Sequence, residues 1–142
     1  MTKNEIFEAI NNNPVFHLAT VEGNQPRVRG MLLYRADESG ILFHTATMKD
    51  VYKQITENNK AELCFSCNGV QIRISGELEL IDDNKLLDEI SEHPSRKFLK
   101  AWKENGVFED FYKAVAVFRL KNGTAVTWTM DKNFAPKEKI QL

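Results

Sequence analysis

Two hydroxyls, an ammonium and a carboxylate crowd the end of one apolar run. Ile41-Leu42-Phe43-His44 is followed by Thr45, Thr47, Lys49 and Asp50. Thr47 and Asp50 have the spacing of a helix N-terminus, with Thr47 as the expected cap. A helix start offers free N–H groups and the positive end of its dipole, so these side chains would seat a phosphate. Arg27 and Arg29 lie two apart on the preceding strand, share a face, and would add positive charge.

Other chemistries find no support. None of the seven glycines falls in a G-x-x-x-x-G-K or G-x-G-x-x-G pattern, which excludes a P-loop and a dinucleotide turn. No G-x-S-x-G occurs, and no Ser/His/Asp arrangement stands out. Cys64 and Cys67 have C-x-x-C spacing, but positions three apart on a strand face opposite ways. They read as buried small apolar residues. His17, His44 and His93 show no ligand spacing, and no set of zinc ligands is present, so no metal is expected. With no nucleophile evident, any chemistry is expected to be carried by a bound cofactor.

The elements that must position these residues are mostly strands. Arg27 to Arg35 and Ile41 to Thr45 flank the turn Ala36-Asp37-Glu38-Ser39-Gly40, a hairpin signal. Val15 to Val21 is a strand before it, and Met48 to Asn58 a helix after it. Ala61 to Cys67 alternates clearly and runs through Asn68-Gly69, a strong two-residue turn, into a long strand. There Val70, Ile72, Ile74, Leu78 and Leu80 point one way and Gln71, Arg73, Ser75, Glu77 and Glu79 the other. Gly76 suggests a bulge or bend. Residues 2–12, Asp82 to Glu92 and Ser95 to Glu104 read as helices, and VFEDFYK as a connector. Ala114 to Leu120 and Thr124 to Met130 are the last strands, followed by a polar tail over residues 131–142 expected to be loosely held. About seven antiparallel strands with short turns favour a sandwich or a closed β-barrel with peripheral helices.

A length of 142 residues suits a single domain, 1–142. Nineteen basic against 20 acidic residues leave a net charge of −1, which argues against a nucleic-acid binder. No apolar run approaches ~20 residues, so no membrane span is expected. The N-terminus has no apolar signal core, so a cytoplasmic protein is expected.

Three stretches resemble the flavin-binding split-barrel family, the pyridoxamine 5′-phosphate oxidase-like proteins, and among them the small nitroimidazole-reductase-like members. They are RVRGMLLY, ILFHTATMKDVYKQI and VQIRISGELELI, in that order. The resemblance implies an antiparallel FMN-binding split barrel of Greek-key type, and a homodimer with the flavin site at the interface. It implies that Arg29 contacts the ribityl-phosphate arm and that Gly30, Met31 and Leu32 offer backbone to the isoalloxazine ring. His44 and Thr45 would lie beside the ring and ribityl chain, and Thr47 and Lys49 would hold the phosphate. Gln71 would bond the ring edge or ribityl group, and Trp128 would wall the ring from the partner subunit. By pattern alone, Gln71 is one of five polar residues on a solvent face, Trp128 reads as core, and His44 as an ordinary strand histidine.

The chain departs from the family's oxidases in two places. Met48 stands where a second basic residue would be, and the tail lacks an Arg-x-His-x-Arg element for gripping pyridoxal phosphate. The implied activity is therefore FMN-dependent reduction of a small aromatic or nitro compound with electrons from NAD(P)H. The alternative is a flavin or haem carrier, or a sensor, without turnover.

Overall fold

A computed structural model describes residues 1–142. The helices are α1 (Lys3–Asn12), α2 (Asp50–Glu57), α3 (Asn84–Glu92), α4 (Lys97–Glu104) and α5 (Phe111–Ala114). The strands are β1 (Val15–Glu22), β2 (Gln25–Asp37), β3 (Gly40–Ala46), β4 (Lys60–Cys67), β5 (Val70–Ile81), β6 (Val115–Leu120), β7 (Thr124–Trp128) and β8 (Ile140–Gln141). β1, β2, β3, β6, β5 and β4 follow one another around a closed antiparallel barrel, shut by the pairing of β4 with both β1 and β5. Closure removes the strand edges that would otherwise invite aggregation.

Alternation builds the barrel core. Phe16, Leu18, Leu33, Ile41, Phe43, Leu63, Phe65, Ile72, Ile74 and Phe118 all turn inward and are almost fully buried. Phe16 stacks on Phe65 at 4.9 Å between ring centres and meets Phe43 edge-on at 5.6 Å. α1 closes one end with Ile6, Phe7 and Ile10, and its start is fixed by a reciprocal capping box between Thr2 and Glu5. A second, smaller core lies outside the barrel. There Leu42, Val115 and Val117 of β3 and β6 meet Leu87, Ile90 and Leu99 of α3 and α4.

Several sequence expectations change. Of the two readings of Gly76, there is no bulge but there is a change of course: β5 stays paired with β4 through Glu77 and joins β6 from Leu78, and a Cβ at Gly76 would lie 3.2 Å from the Leu120 side chain. The register shift sits on β2 instead, between Leu33 and Arg35. Leu80 is 48% exposed, although its register partner on β6, Phe118, is buried. The connector VFEDFYK ends in α5, started by the Asp110 carboxylate accepting from the Tyr112 N–H. The last long strand stops at Trp128, and a 3-10 turn, Met130–Lys132, follows. The tail is anchored at its end: Ile140 pairs with Ala125, and the Leu142 N–H donates to Gly123 O at 2.9 Å.

One irregularity positions the site. β2 pairs with β3 only from Leu33↔Phe43 outward to Asp37↔Gly40. Inward of that point the two strands part. Gly30 to Leu32 on β2 and His44 to Ala46 on β3 face each other with no ladder between them.

Candidate flavin site

The parted strands hold a cavity of about 250 Å³ lined by Gly30, Met31, Leu32, His44, Thr45 and Lys49. Its far wall comes from α4 and the loop after it, as Phe98, Trp102 and Phe108. Phe98 packs edge-on to Trp102 at 5.3 Å, and its ring centre lies 6.2 Å from that of His44. The slot is thus mostly apolar, with a few polar groups at its edges, which suits a flat ring system. Thr45 is 7% exposed, and its Oγ1 has no partner within the protein. A buried hydroxyl left unpaired costs about 1–3 kcal/mol, so a ligand that met it would gain.

Gly30, Met31 and Lys49 also line a wider, open groove of about 780 Å³. Its floor is the start of α2, where no side chain caps the helix. Lys49, not Thr47, occupies the N-cap position, and it pairs with no carboxylate. The Thr47 hydroxyl instead donates to Lys113 O at 3.1 Å, turned away from the groove. Backbone geometry decides this: the Thr47 N–H is tied to Ala114 O at 2.8 Å, and the chain needs two more residues before α2 begins.

Arg29 lies at the same groove, but most of its donors are engaged. Nη1 donates to Leu18 O at 3.1 Å and Thr20 Oγ1 at 2.8 Å, and Nη2 donates to Gln54 Oε1. Arg27 shares its face, as period-2 spacing requires, but is paired with Glu22 at 3.0 Å. Gln54 was missed in the sequence. Its signal was a polar residue at a core position, three after Val51 and beside Ile55 on the buried face of α2.

Arg96 was also missed, and nothing in its local sequence marks it. It is 1% exposed, and its Nε donates to His44 Nε2 at 3.0 Å. Burial, then the neighbouring Arg96 and Lys49 charges, push the His44 imidazole down to about 4, so the ring is neutral at ordinary pH.

Gln71 and Trp128 do not reach either groove of their own chain. They pair with each other across β5 and β7. The registers carry one row over five strands, Gly30, His17, Cys64, Arg73 and Val126, all on the barrel's outer face. Gln71 lies on that face three strands from Gly30 and two residues along from its row, roughly 16 Å away at ordinary strand spacing.

The site as built fits FMN: an uncapped helix start and an unpaired ammonium for phosphate, an apolar slot for a ring, and an open backbone at Gly30. Among solved structures, the chain is similar to a NimC/NimA family protein from Clostridium acetobutylicum, with TM-score 0.76 and 23% identity, over 98% of this chain and 92% of that one. It is also similar to a pyridoxamine 5′-phosphate oxidase-related, FMN binding protein from Nostoc punctiforme, with TM-score 0.66 and 22% identity, over 96% and 88% of the two chains. These likenesses define the class by fold, a split barrel. The family model described as Pyridoxamine 5′-phosphate oxidase matches residues 2–127, and the chain belongs to that family. A pyridoxine/pyridoxamine 5′-phosphate oxidase from Agrobacterium fabrum is 31% identical over 96 residues, covering 66% of this chain and 47% of the relative. The chain spans about half the length of the curated relatives it matches. No helix is long and apolar enough to cross a membrane.

Proposed function

We propose that the protein is an FMN-dependent oxidoreductase, working as a homodimer in the cytoplasm on a small aromatic or nitro compound. The observation that carries this reading is the continuity of the two grooves through Gly30, Met31 and Lys49. A phosphate at the start of α2 and a ring between β2 and β3 are then parts of one ligand. Lys49 and the α2 N–H groups would neutralise the phosphate, and Arg29 would offer its remaining N–H. The Thr45 hydroxyl would meet a polar atom of the ring or ribityl chain.

Bound FMN would supply the redox chemistry, exchange of a hydride equivalent between a reduced nicotinamide and the acceptor. The chain's own part is to bind, orient and exclude water. The slot's one imidazole, His44, is held neutral. Phe98 and Trp102, 40% and 43% exposed, would form the wall on which a flat acceptor stacks.

On this reading Gln71 and Trp128, which do not line the grooves of their own chain, would meet the flavin from a second copy. Val15 and Val28, 65% and 68% exposed on the same outer face, supply apolar area for that contact. Two free cysteines suit a reducing compartment. Stopped-flow mixing of the FMN-loaded protein with NADH or NADPH tests the activity. Bleaching of the flavin absorbance, and its return on adding a nitroaromatic, is the expected result. A flavin never reduced at a useful rate would instead make the protein a carrier or sensor.

A further inference from the structure

Arg96 is a buried cation without a counter-ion. A charge so placed costs several kcal/mol unless its hydrogen-bonding capacity is met in full. Here all five N–H groups have acceptors. Nε donates to His44 Nε2 at 3.0 Å; Nη1 donates to Ser95 Oγ at 2.9 Å and Ser95 O at 3.5 Å; Nη2 donates to Leu33 O at 2.8 Å and Leu32 O at 3.3 Å. The guanidinium carbon lies 5.6 Å from the centre of the Tyr34 ring. Leu32 and Leu33 are where β2 parts from β3. Arg96 therefore fills the top of the crack and bonds carbonyls beside the break in the ladder.

The consequence falls on His44. An arginine does not give up its proton, so a nitrogen that accepts from it must present a lone pair. His44 Nε2 is that acceptor, and the ring proton is therefore on Nδ1, the less favoured tautomer of a free neutral imidazole in water. Nδ1 has no partner within the protein and is not a sealed, unsatisfied atom. His44 lines the cavity, and no protein group takes that nitrogen's proton. The charged groups that face His44 are Arg96, from the turn before α4, and Lys49, from the start of α2; both disfavour the imidazolium.

We propose that Arg96 is a positioning residue: it locks His44 as the Nδ1–H tautomer, so the aromatic-walled slot presents one fixed donor to a flat ligand bearing an acceptor oxygen, such as a nitro or carboxylate group. The ligand class rests on the redox reading above; the tautomer does not, because it is a property of the flavin-free chain.

Nitrogen-15 NMR of histidine-labelled, flavin-free protein reads the tautomer directly, with His44→Gln assigning the signal. His93 is an internal contrast, since its Nδ1 accepts from the Ser95 N–H at 3.2 Å and its proton must sit on Nε2. The expected result is an Nδ1–H signal for His44 and an Nε2–H signal for His93 at pH 7. Arg96→Met should shift His44 toward Nε2–H, while Arg96→Lys, which keeps a donor, should hold more of the Nδ1–H form. An Nε2–H tautomer for His44 in the wild-type protein overturns the proposal without any variant. So does an unchanged Nδ1–H signal in folded Arg96→Met. For the ligand class, nitrobenzene should bind the flavin-free wild-type protein, whose slot no isoalloxazine fills, about fivefold more tightly than toluene, the worth of one hydrogen bond, and His44→Phe should bind the two alike. Equal binding of the two by the wild-type protein overturns that part.

Discussion

Gly30 and His44 stand on facing edges of β2 and β3 at the point where the two strands part, and both line the same cavity. Everything polar in the site is arranged around that parting. Arg96 bonds the carbonyls at its closed end, Lys49 waits at its open end, and the Thr45 hydroxyl lies along its wall without a partner.

Gly30 separates binding from stability. A Cβ added there meets nothing within 4 Å, and the backbone is ordinary strand. Gly30→Val should leave the melting temperature of the flavin-free protein within a few degrees of wild type, yet abolish FMN uptake by filling the ring's seat. Gly123→Ala is the opposite case: its Cβ would come 2.5 Å from Leu120 Cδ2 and 2.9 Å from Ile74 Cγ2. It should destabilise by about 1–3 kcal/mol through overpacking, as thermal unfolding of the two variants would report.

Lys49 is the unpaired cation of the groove, so its charge is available to a ligand. Lys49→Ala should raise the FMN dissociation constant about 10- to 100-fold, as expected for one charge-assisted bond. Riboflavin, which lacks the phosphate, should bind wild type and variant alike. Arg29→Ala should weaken FMN too, but it should also lower stability, because Thr20 and Gln54 lose their shared donor.

His44 makes the protein acid-sensitive. Its pKa falls from the ordinary 6.5 to about 4 in the folded chain. Between those values the unfolded chain binds a proton that the folded chain refuses. The stability is complete above about pH 6.5, declines as pH falls, and is fully lost below about 4. Screening by the open cavity reduces the effect to on the order of 2 kcal/mol. Denaturant unfolding from pH 7 to 4 should show a steeper loss for wild type than for His44→Gln.

The outer face that carries Gly30 also carries Val28, 68% exposed. If the proposed homodimer holds, Val28→Glu should yield a monomer by light scattering and weaken flavin binding in parallel. A monomeric variant that binds FMN as tightly as wild type would remove Gln71 and Trp128 from the site.

Much of this was legible in the sequence. Asn68-Gly69 and the alternation after it announced β4 and β5, and both form as read. Arg29, Gly30, Met31, Leu32, His44, Thr45 and Lys49, which the family resemblance named together and strand patterning alone did not, line the two adjoining cavities. Thr47 was misread for a local reason: its capping pattern is genuine, but the chain bends to bond Ala114, and α2 starts later. Arg96 was invisible, because apart from the adjacent Ser95 its partners, His44, Leu32 and Leu33, lie more than fifty residues away, and no local pattern marks a buried cation. The anchored tail was missed because a two-residue strand leaves no periodicity to read.

Titration of the purified, flavin-stripped protein with FMN, followed by quenching of flavin fluorescence, tests the central claim most directly. The account predicts saturable binding at one FMN per chain, a yellow protein whose absorbance bleaches on reduction, and loss of that binding in Gly30→Val. A correctly folded wild-type protein that takes up no FMN, or a Gly30→Val variant that binds it as well, would contradict it.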